Sequence, residues 1–269
     1  MNLLKTYIKL ILREALEEGQ IEKTLLTLDQ VVDKIKNKTL IFIDTETTTL
    51  DPKKPFAQIT EIAGVAYDTN TGERLGEFNM KAKLTAATLS RIEREKDLKA
   101  RGKWTNPDEK TVEDLLGMTA YHTETVPYQE EAEMMEGFVD FINSFADRNP
   151  ILVAHNARFD MYQIGKALER HKLPKMPTMP IVDTKALAKN YLQPLLALME
   201  KEGDPAAEPL LRVLRPKKFF INRLGDLGTA FQVSTKHWHS AIADTEQLAG
   251  ILSALINFFE ERQDTYEFR

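Results

Sequence analysis

Four consecutive apolar residues, Leu40, Ile41, Phe42 and Ile43, predict a strand buried on both faces, because a half-exposed strand would alternate. A polar run, Asp44-Thr45-Glu46-Thr47-Thr48-Thr49, follows at once. The pattern returns at Ile151-Leu152-Val153-Ala154, which enters the polar turn His155-Asn156 and then a helix over residues 158–171. A shorter version is Ile181-Val182-Asp183-Thr184, where Asp183 is expected to cap a helix over residues 184–191, Asp being a preferred N-cap. Residues 58–68 and 74–80 predict two more strands. The turn Asp68-Thr69-Asn70-Thr71-Gly72 between them implies an antiparallel meander with the first. Helical spacing over residues 130–145 places Met134, Phe138, Phe141, Ile142 and Phe145 on one side, and residues 225–231 and 241–259 complete the helices. Strands and helices in this alternation predict an α/β domain with a mixed sheet.

Three stretches stand apart from that alternation. At the N-terminus Leu4, Ile8, Ile11 and Ala15 recur at helical spacing beside a basic stripe of Lys5, Lys9 and Arg13, and Gly19 is a stop signal. A second amphipathic run, Ile21, Leu25, Leu28, Val32 and Ile35, holds a capping-box pattern at Thr27 and Gln30. Residues 1–37 therefore predict a helical arm ahead of a domain at 38–269. It either packs on that domain or offers its apolar stripe to a protein partner or a second copy. Glu14, Glu17 and Glu18 dilute the basic face and disfavour a membrane surface. An insertion near 84–110 mixes both charges around Trp104, its first part an exposed helix ending at Gly102. Another, near 192–222, carries Pro194, Gly203, Pro205, Pro209 and Pro216 and reads as irregular.

At 269 residues the chain suits one core with appendages. A net charge of −5 excludes a protein that coats nucleic acid by charge alone, although an acidic protein can still meet phosphates through bound cations. The absence of cysteine removes disulfides, thiolate metal sites and a cysteine nucleophile. Lys5, Lys9 and Arg13 interrupt the first apolar stretch, so neither a signal peptide nor a membrane span is expected, and the expected compartment is cytoplasmic.

The chemistry is concentrated at the strand ends. Asp44 and Glu46 are spaced i and i+2, so in a strand they point the same way. Two carboxylates about 4 Å apart at an effective dielectric of about 20 repel by roughly 4 kcal/mol, which calls for a cation unless both acids simply face water. Further on stand Ala154-His155-Asn156-Ala157-Arg158-Phe159-Asp160 and, near the C-terminus, His239-Ser240-Ala241-Ile242-Ala243-Asp244.

Together these stretches resemble the three motifs of the DEDDh 3′-to-5′ exonucleases, the family that includes the proofreading epsilon subunit of DNA polymerase III and ribonuclease T. The resemblance covers residues 39–260. It implies a ribonuclease H-like fold in which Asp44, Glu46, Asp160 and Asp244 hold two divalent metal ions, magnesium or manganese in keeping with oxygen-only ligands. His239 matches the family's general base at the H-x-A-x-x-D spacing, whereas His237 does not. A helix would turn by about 140° over those five residues, so His239 is expected in the loop before the helix. The sister family with a Tyr base would place it at position 240, which is Ser. Thr47, His155 and Asn156 match positions that serve the terminal nucleotide or support the site; His155 and Asn156 could equally just close a tight turn. The family's usual Gly after Glu-Thr-Thr is Thr49 here, and a β-branched residue avoids positive φ, so the turn is expected to differ locally.

The activity so implied is metal-dependent release of nucleoside 5′-monophosphates from 3′ ends, of single-stranded DNA or frayed duplexes. RNA is the alternative substrate, and a catalytically quiet nucleic-acid-binding module the alternative of another class. Arg212, Arg215, Lys217, Lys218 and Arg223, interleaved with Phe219 and Phe220, suit a single-stranded backbone with stacked bases, or else a solvated face over two core aromatics. Trp104 offers a similar choice between stacking on a base and belonging to a solvated insert.

Overall fold

A computed structural model of the chain describes residues 25–104, 110–118, 126, 128–216, 219–233 and 240–266. The apolar run forms the middle of β1 (Thr39–Thr47), with Leu40, Ile41, Phe42 and Ile43 all buried. It pairs antiparallel with β2 (Ile59–Asp68), which pairs antiparallel with β3 (Arg74–Ala82). On its other side β1 runs parallel to β5 (Ile151–Ala154), which is parallel to β6 (Ile181–Asp183). A two-residue strand, β4 (Tyr128–Gln129), closes the far edge, so the six-stranded order is β4-β3-β2-β1-β5-β6. This is the expected α/β architecture, a mixed sheet flanked by helices.

Alternation along β1 divides the core into two layers. Leu40 and Phe42, with Val153 and Val182, face Leu248, Ile251, Leu252 and Leu255 of the long helix α10 (Ala241–Glu260). Ile41 and Ile43, with Leu152 and Ala154, face Met134, Phe138 and Ile142 of α4 (Glu131–Asn143) and Ile164 and Leu168 of α5 (Ala157–His171). Gly64 on β2 permits the close approach of α4, since a Cβ there would lie 2.7 Å from the ring of Phe141.

The parallel pairing of β1 with β5 runs only from Leu40↔Ile151 to Phe42↔Val153. The end of β1, which carries the acids, therefore projects past its parallel neighbour. The gap admits the N-terminus of α5, so two helices from opposite faces can meet at one strand end.

The second N-terminal run belongs to the core. Helix α1 (Leu28–Lys34) starts at the Thr27/Gln30 capping box, with Leu28 and Val31 buried. Leu25, expected to continue that helix, lies instead in extended backbone bridged to Ile181, and the Leu26 N–H donates to the Ile181 carbonyl at 2.9 Å. The proposed first arm helix lies outside the described residues. A chain beginning at Leu25 serves as the reference for the contribution of this helix. One beginning at Asn37 should lose roughly 3–6 kcal/mol, for the burial of Leu28 and Val31 alone. Denaturant titration of both checks this, and equal midpoints would contradict it.

The insertion near 84–110 forms α2 (Ala86–Ala100), capped by Thr85 and ending by Gly102 at φ 63°, as expected. Buried Glu95 ties it to α3 (Val112–Met118) by accepting the Val112 N–H at 2.8 Å. The insertion near 192–222 corrects the sequence reading. Beyond α6 (Thr184–Leu187) the chain makes a π-turn at Ala188–Leu192, then α7 (Gln193–Lys201) and α8 (Ala207–Leu214). Pro209 sits in the first turn of α8, where an N–H has no helical partner to lose, and Pro194 sits in the first turn of α7, directly after the π-turn. Leu195, Leu196, Met199, Leu210 and Leu214 are buried. Helix α9 (Leu224–Ala230) packs on α8 and α10. No helix among the described residues is long and apolar enough to cross a membrane.

Candidate active site

Asp44 and Glu46 lie on the face of β1 that α10 covers, and the cross-strand partner of Asp44 is Ala63. Asp244 comes from the first turn of α10. Carboxylate oxygens of Asp44, Glu46 and Asp244 lie within 4.8 Å of one another, each residue half-buried and so still open to a ligand. Asp160 enters from the opposite layer in the first turn of α5. It is 2% exposed and accepts a 2.7 Å hydrogen bond from the Thr45 hydroxyl, which points to the other side of β1. The four acids thus meet at the projecting end of β1.

Their electrostatics follow from crowding. Burial above all, and then Glu46, Asp160, Asp244 and Glu61, push the Asp44 carboxyl well above the usual carboxylate range. Burial first, reinforced by Asp244, Glu61 and Asp160, raises Glu46 to about 8. Burial raises Asp160 to about 7 against the opposing bond from Thr45, and Asp244 to about 6. In the absence of a cation, protons must neutralise part of this group. A divalent cation would take their place, and the all-oxygen donor set suits a hard ion. The residues therefore fit the metal pair that the resemblance implies.

The exit from β1 is held by hydroxyls. Register slips between Glu46↔Glu61 and Thr47↔Ile59. Thr47 donates to the Thr49 carbonyl at 3.0 Å, and Thr48 donates to the Phe56 carbonyl at 2.9 Å while accepting the Gln58 N–H. Thr49 is not among the residues of positive φ; the chain turns here without the conformation that would demand Gly.

Asn156 does adopt left-handed backbone, φ 75° and ψ 49°, at the head of α5. The N–H groups of Asn156 and Ala157 each donate to Asp183 at 3.0 Å, and Asp183 also accepts from Lys185 and Ala186. One carboxylate thus caps α5 and α6 together, extending the capping role expected of it. His155 shares a 2.9 Å hydrogen bond with Thr184; burial, with Lys185 adding, lowers its pKa to about 4, leaving it neutral near pH 7. Arg215 pairs with Glu200 of α7. Phe219 is 78% exposed, whereas Phe220 packs on the core, so the two aromatics part ways. Trp104 is half-buried. Lys217, Lys218, His237 and His239 lie outside the described residues.

Sequence reasoning passed over Glu61. It stands beside Glu46 on β2 and across from Lys81 on β3, and both Glu61 and Lys81 are 1% exposed. The available signal was an acid within the apolar run of residues 59–66, since buried carboxylates are rare unless paired.

Comparison with known proteins bears directly on this arrangement. DNA polymerase III PolC-type of Streptococcus mutans serotype c (strain ATCC 700610 / UA159) is 29% identical over 149 residues, 55% of this chain and 8% of its own length. Its counterpart in Streptococcus pyogenes serotype M2 (strain MGAS10270) is 30% identical over the same length and shares. The chain thus spans 8% of the length of these polymerases. Among solved structures, E. coli Exonuclease I in complex with a dT13 oligonucleotide aligns over 84% of this chain and 42% of its own, at 15% identity and a TM-score of 0.46. Exonuclease I from Methylocaldum szegediense aligns over 85% and 41%, at 18% identity and a TM-score of 0.47. The RNase_T family model, described as exonuclease, matches residues 41–252. Because that match starts inside the strand bearing Asp44 and Glu46 and ends inside the helix bearing Asp244, taking in Asp160 between them, the chain belongs to the exonuclease family.

Proposed function

We propose that the protein is a 3′-to-5′ exonuclease that hydrolyses the terminal phosphodiester of single-stranded DNA or frayed 3′ ends and releases nucleoside 5′-monophosphates. The observation that carries this reading is the meeting of Asp44, Glu46 and Asp244 within 4.8 Å, with Asp160 beside them. Those four residues would hold two ions of the magnesium or manganese kind. When bound, such a pair supplies charge stabilisation at the attacking and leaving oxygens of an in-line displacement at phosphorus. An imidazole nitrogen of His239 takes the proton from the attacking water, a task suited to a group that titrates at about 6.5 in its reference state. Thr47, His155 and Asn156 shape the seat of the terminal nucleotide. Farther along the strand, Arg215, Lys217 and Lys218 neutralise phosphates, and exposed Phe219 offers a stacking surface beside them.

The test uses 5′-labelled DNA and RNA oligonucleotides of one sequence, with magnesium, manganese or chelator. The expected result is a ladder shortening from the 3′ end, only with metal and faster on DNA. Faster loss of the RNA would transfer the reading to an exoribonuclease. Binding without cleavage in either metal would leave a quiet binding module and overturn it. Replacing Arg215, Lys217 and Lys218 together by Ala is expected to raise KM and flatten its dependence on salt, since each lost phosphate contact lowers the slope by about 0.7 on a single strand. An unchanged slope would return this segment to a solvated face.

A further inference from the structure

Behind the acidic group lies a rung of charge. Glu46, Glu61 and Lys81 are successive cross-strand partners on β1, β2 and β3, so their side chains share the face that α10 covers. Glu61 stands outside the three acids that converge, and its two oxygens face different ways. Oε1 accepts the Ala241 N–H at 3.2 Å; Oε2 lies 3.9 Å from Lys81 Nζ. Ala241 is the first residue of α10, and Ser240, the N-cap, makes no capping bond with its own side chain. A group 180 positions away in the chain does that work.

The consequence runs to Asp244. Its N–H bonds to the Ser240 carbonyl at 3.0 Å, so Ala241 and Asp244 belong to the same rigid turn. Fixing the Ala241 N–H on β2 fixes that turn against the strand next to the one carrying Asp44 and Glu46. We propose that Glu61, held from behind by Lys81, is a positioning residue: a long-range cap that sets the start of α10 and thereby the place of Asp244 in the acidic group. Lys81 makes this placement tolerable. Burial, with Asp244 adding, raises the Glu61 carboxyl to about 7, and the ammonium and the Ala241 N–H keep that rise from going further. The proposal rests on the acidic group being a metal centre, and deepens that reading by naming what holds its third acid in place.

Two double variants of the full chain separate the hydrogen bond from the charges. Glu61→Gln with Lys81→Met removes both charges and keeps an acceptor for Ala241; Glu61→Leu with Lys81→Met removes the acceptor too. The primary readout is manganese affinity of chelator-stripped protein by calorimetric titration; the second is the split of kcat and KM on a DNA oligonucleotide. The Gln/Met variant should bind manganese and turn over within about threefold of wild type. The Leu/Met variant should bind it about 10- to 100-fold more weakly, the cost usual for losing an outer-shell partner of a metal ligand. Its kcat should fall on the order of 10²-fold, as for a misplaced reacting geometry, with KM unchanged. Equal behaviour of the two variants overturns the proposal. If wild type binds manganese but cleaves nothing, the exonuclease reading fails while the affinity comparison still decides the positioning role; if wild type binds no manganese, both fail. Should Leu/Met not fold, Ala241→Pro deletes the donor instead. Pro is tolerated at the first helical position, and Ser240 already has the extended backbone, φ −124° and ψ 129°, that precedes it. Ala241→Pro should show the same loss of manganese affinity, and wild-type affinity in that variant overturns the proposal.

Discussion

Replacing Asp44 with Asn is expected to remove metal-dependent cleavage and, in the metal-free protein, to raise the melting temperature. Both effects come from one cause. Asp44 is crowded by Glu46, Asp160 and Asp244 in a site where burial already disfavours charge, so without cations its carboxylate is a liability to the fold. With cations it would be a ligand, and loss of several kcal/mol of transition-state stabilisation corresponds to a rate loss on the order of 10³-fold or more. The pH dependence follows from the same carboxylates. Their folded pKa values, about 6 for Asp244, about 7 for Asp160 and about 8 for Glu46, lie above the unfolded reference values. Between those limits the folded state binds more protons than the unfolded one, so stability is full below the unfolded values and is lost as pH rises through the folded ones. Metal-free protein should therefore melt higher at about pH 5 than at about pH 8, and Asp44→Asn should flatten the difference. Magnesium should reverse the order, because fewer protons compete for the carboxylates at about pH 8 than at about pH 5, and saturation to 100 times Kd adds about 2.7 kcal/mol. Thermal melts in chelator and in magnesium at both pH values test this. A metal-free midpoint that climbs with pH, or an Asn variant with wild-type turnover, would contradict it.

His239→Ala is expected to lose about 10²- to 10⁴-fold in rate while keeping its affinity for manganese and for single-stranded substrate, because a general base moves a proton without holding the metal. Removal of any of the four acids should instead weaken metal and rate together. Helix α10 begins at Ala241 after an extended Ser240, and His239 itself lies outside the described residues. The wild-type rate should rise with pH as the imidazole loses its proton, about 6.5 being the reference midpoint; bound cations would lower it and neighbouring carboxylates raise it. His237→Ala serves as control, with a mild effect expected. Equal damage from the two substitutions, or near wild-type turnover in His239→Ala, sinks the assignment.

Sequence alone determined those features whose cause is local. Four apolar residues in a row made β1 a doubly buried strand, the i, i+2 spacing put Asp44 and Glu46 on one side of it, and Asp183 and Thr27 were legible as caps because capping is a contact over a few residues. The family resemblance added Asp160 and Asp244, which periodicity could not have joined to the strand. What only the tertiary structure decided depends on pairing across long stretches of chain. Leu25 became a sheet-edge residue because Ile181 lies beside it, and Pro194 and Pro209 came to lie in the first turns of α7 and α8, which had leucines to bury. Thr45 reaches Asp160 over 115 positions, and Glu61 reaches Ala241 over 180. A strand records which of its side chains share a face, but not which strand lies alongside or in what register. The rung of Glu46, Glu61 and Lys81 exists only once register is set, and register is a property of the assembled sheet.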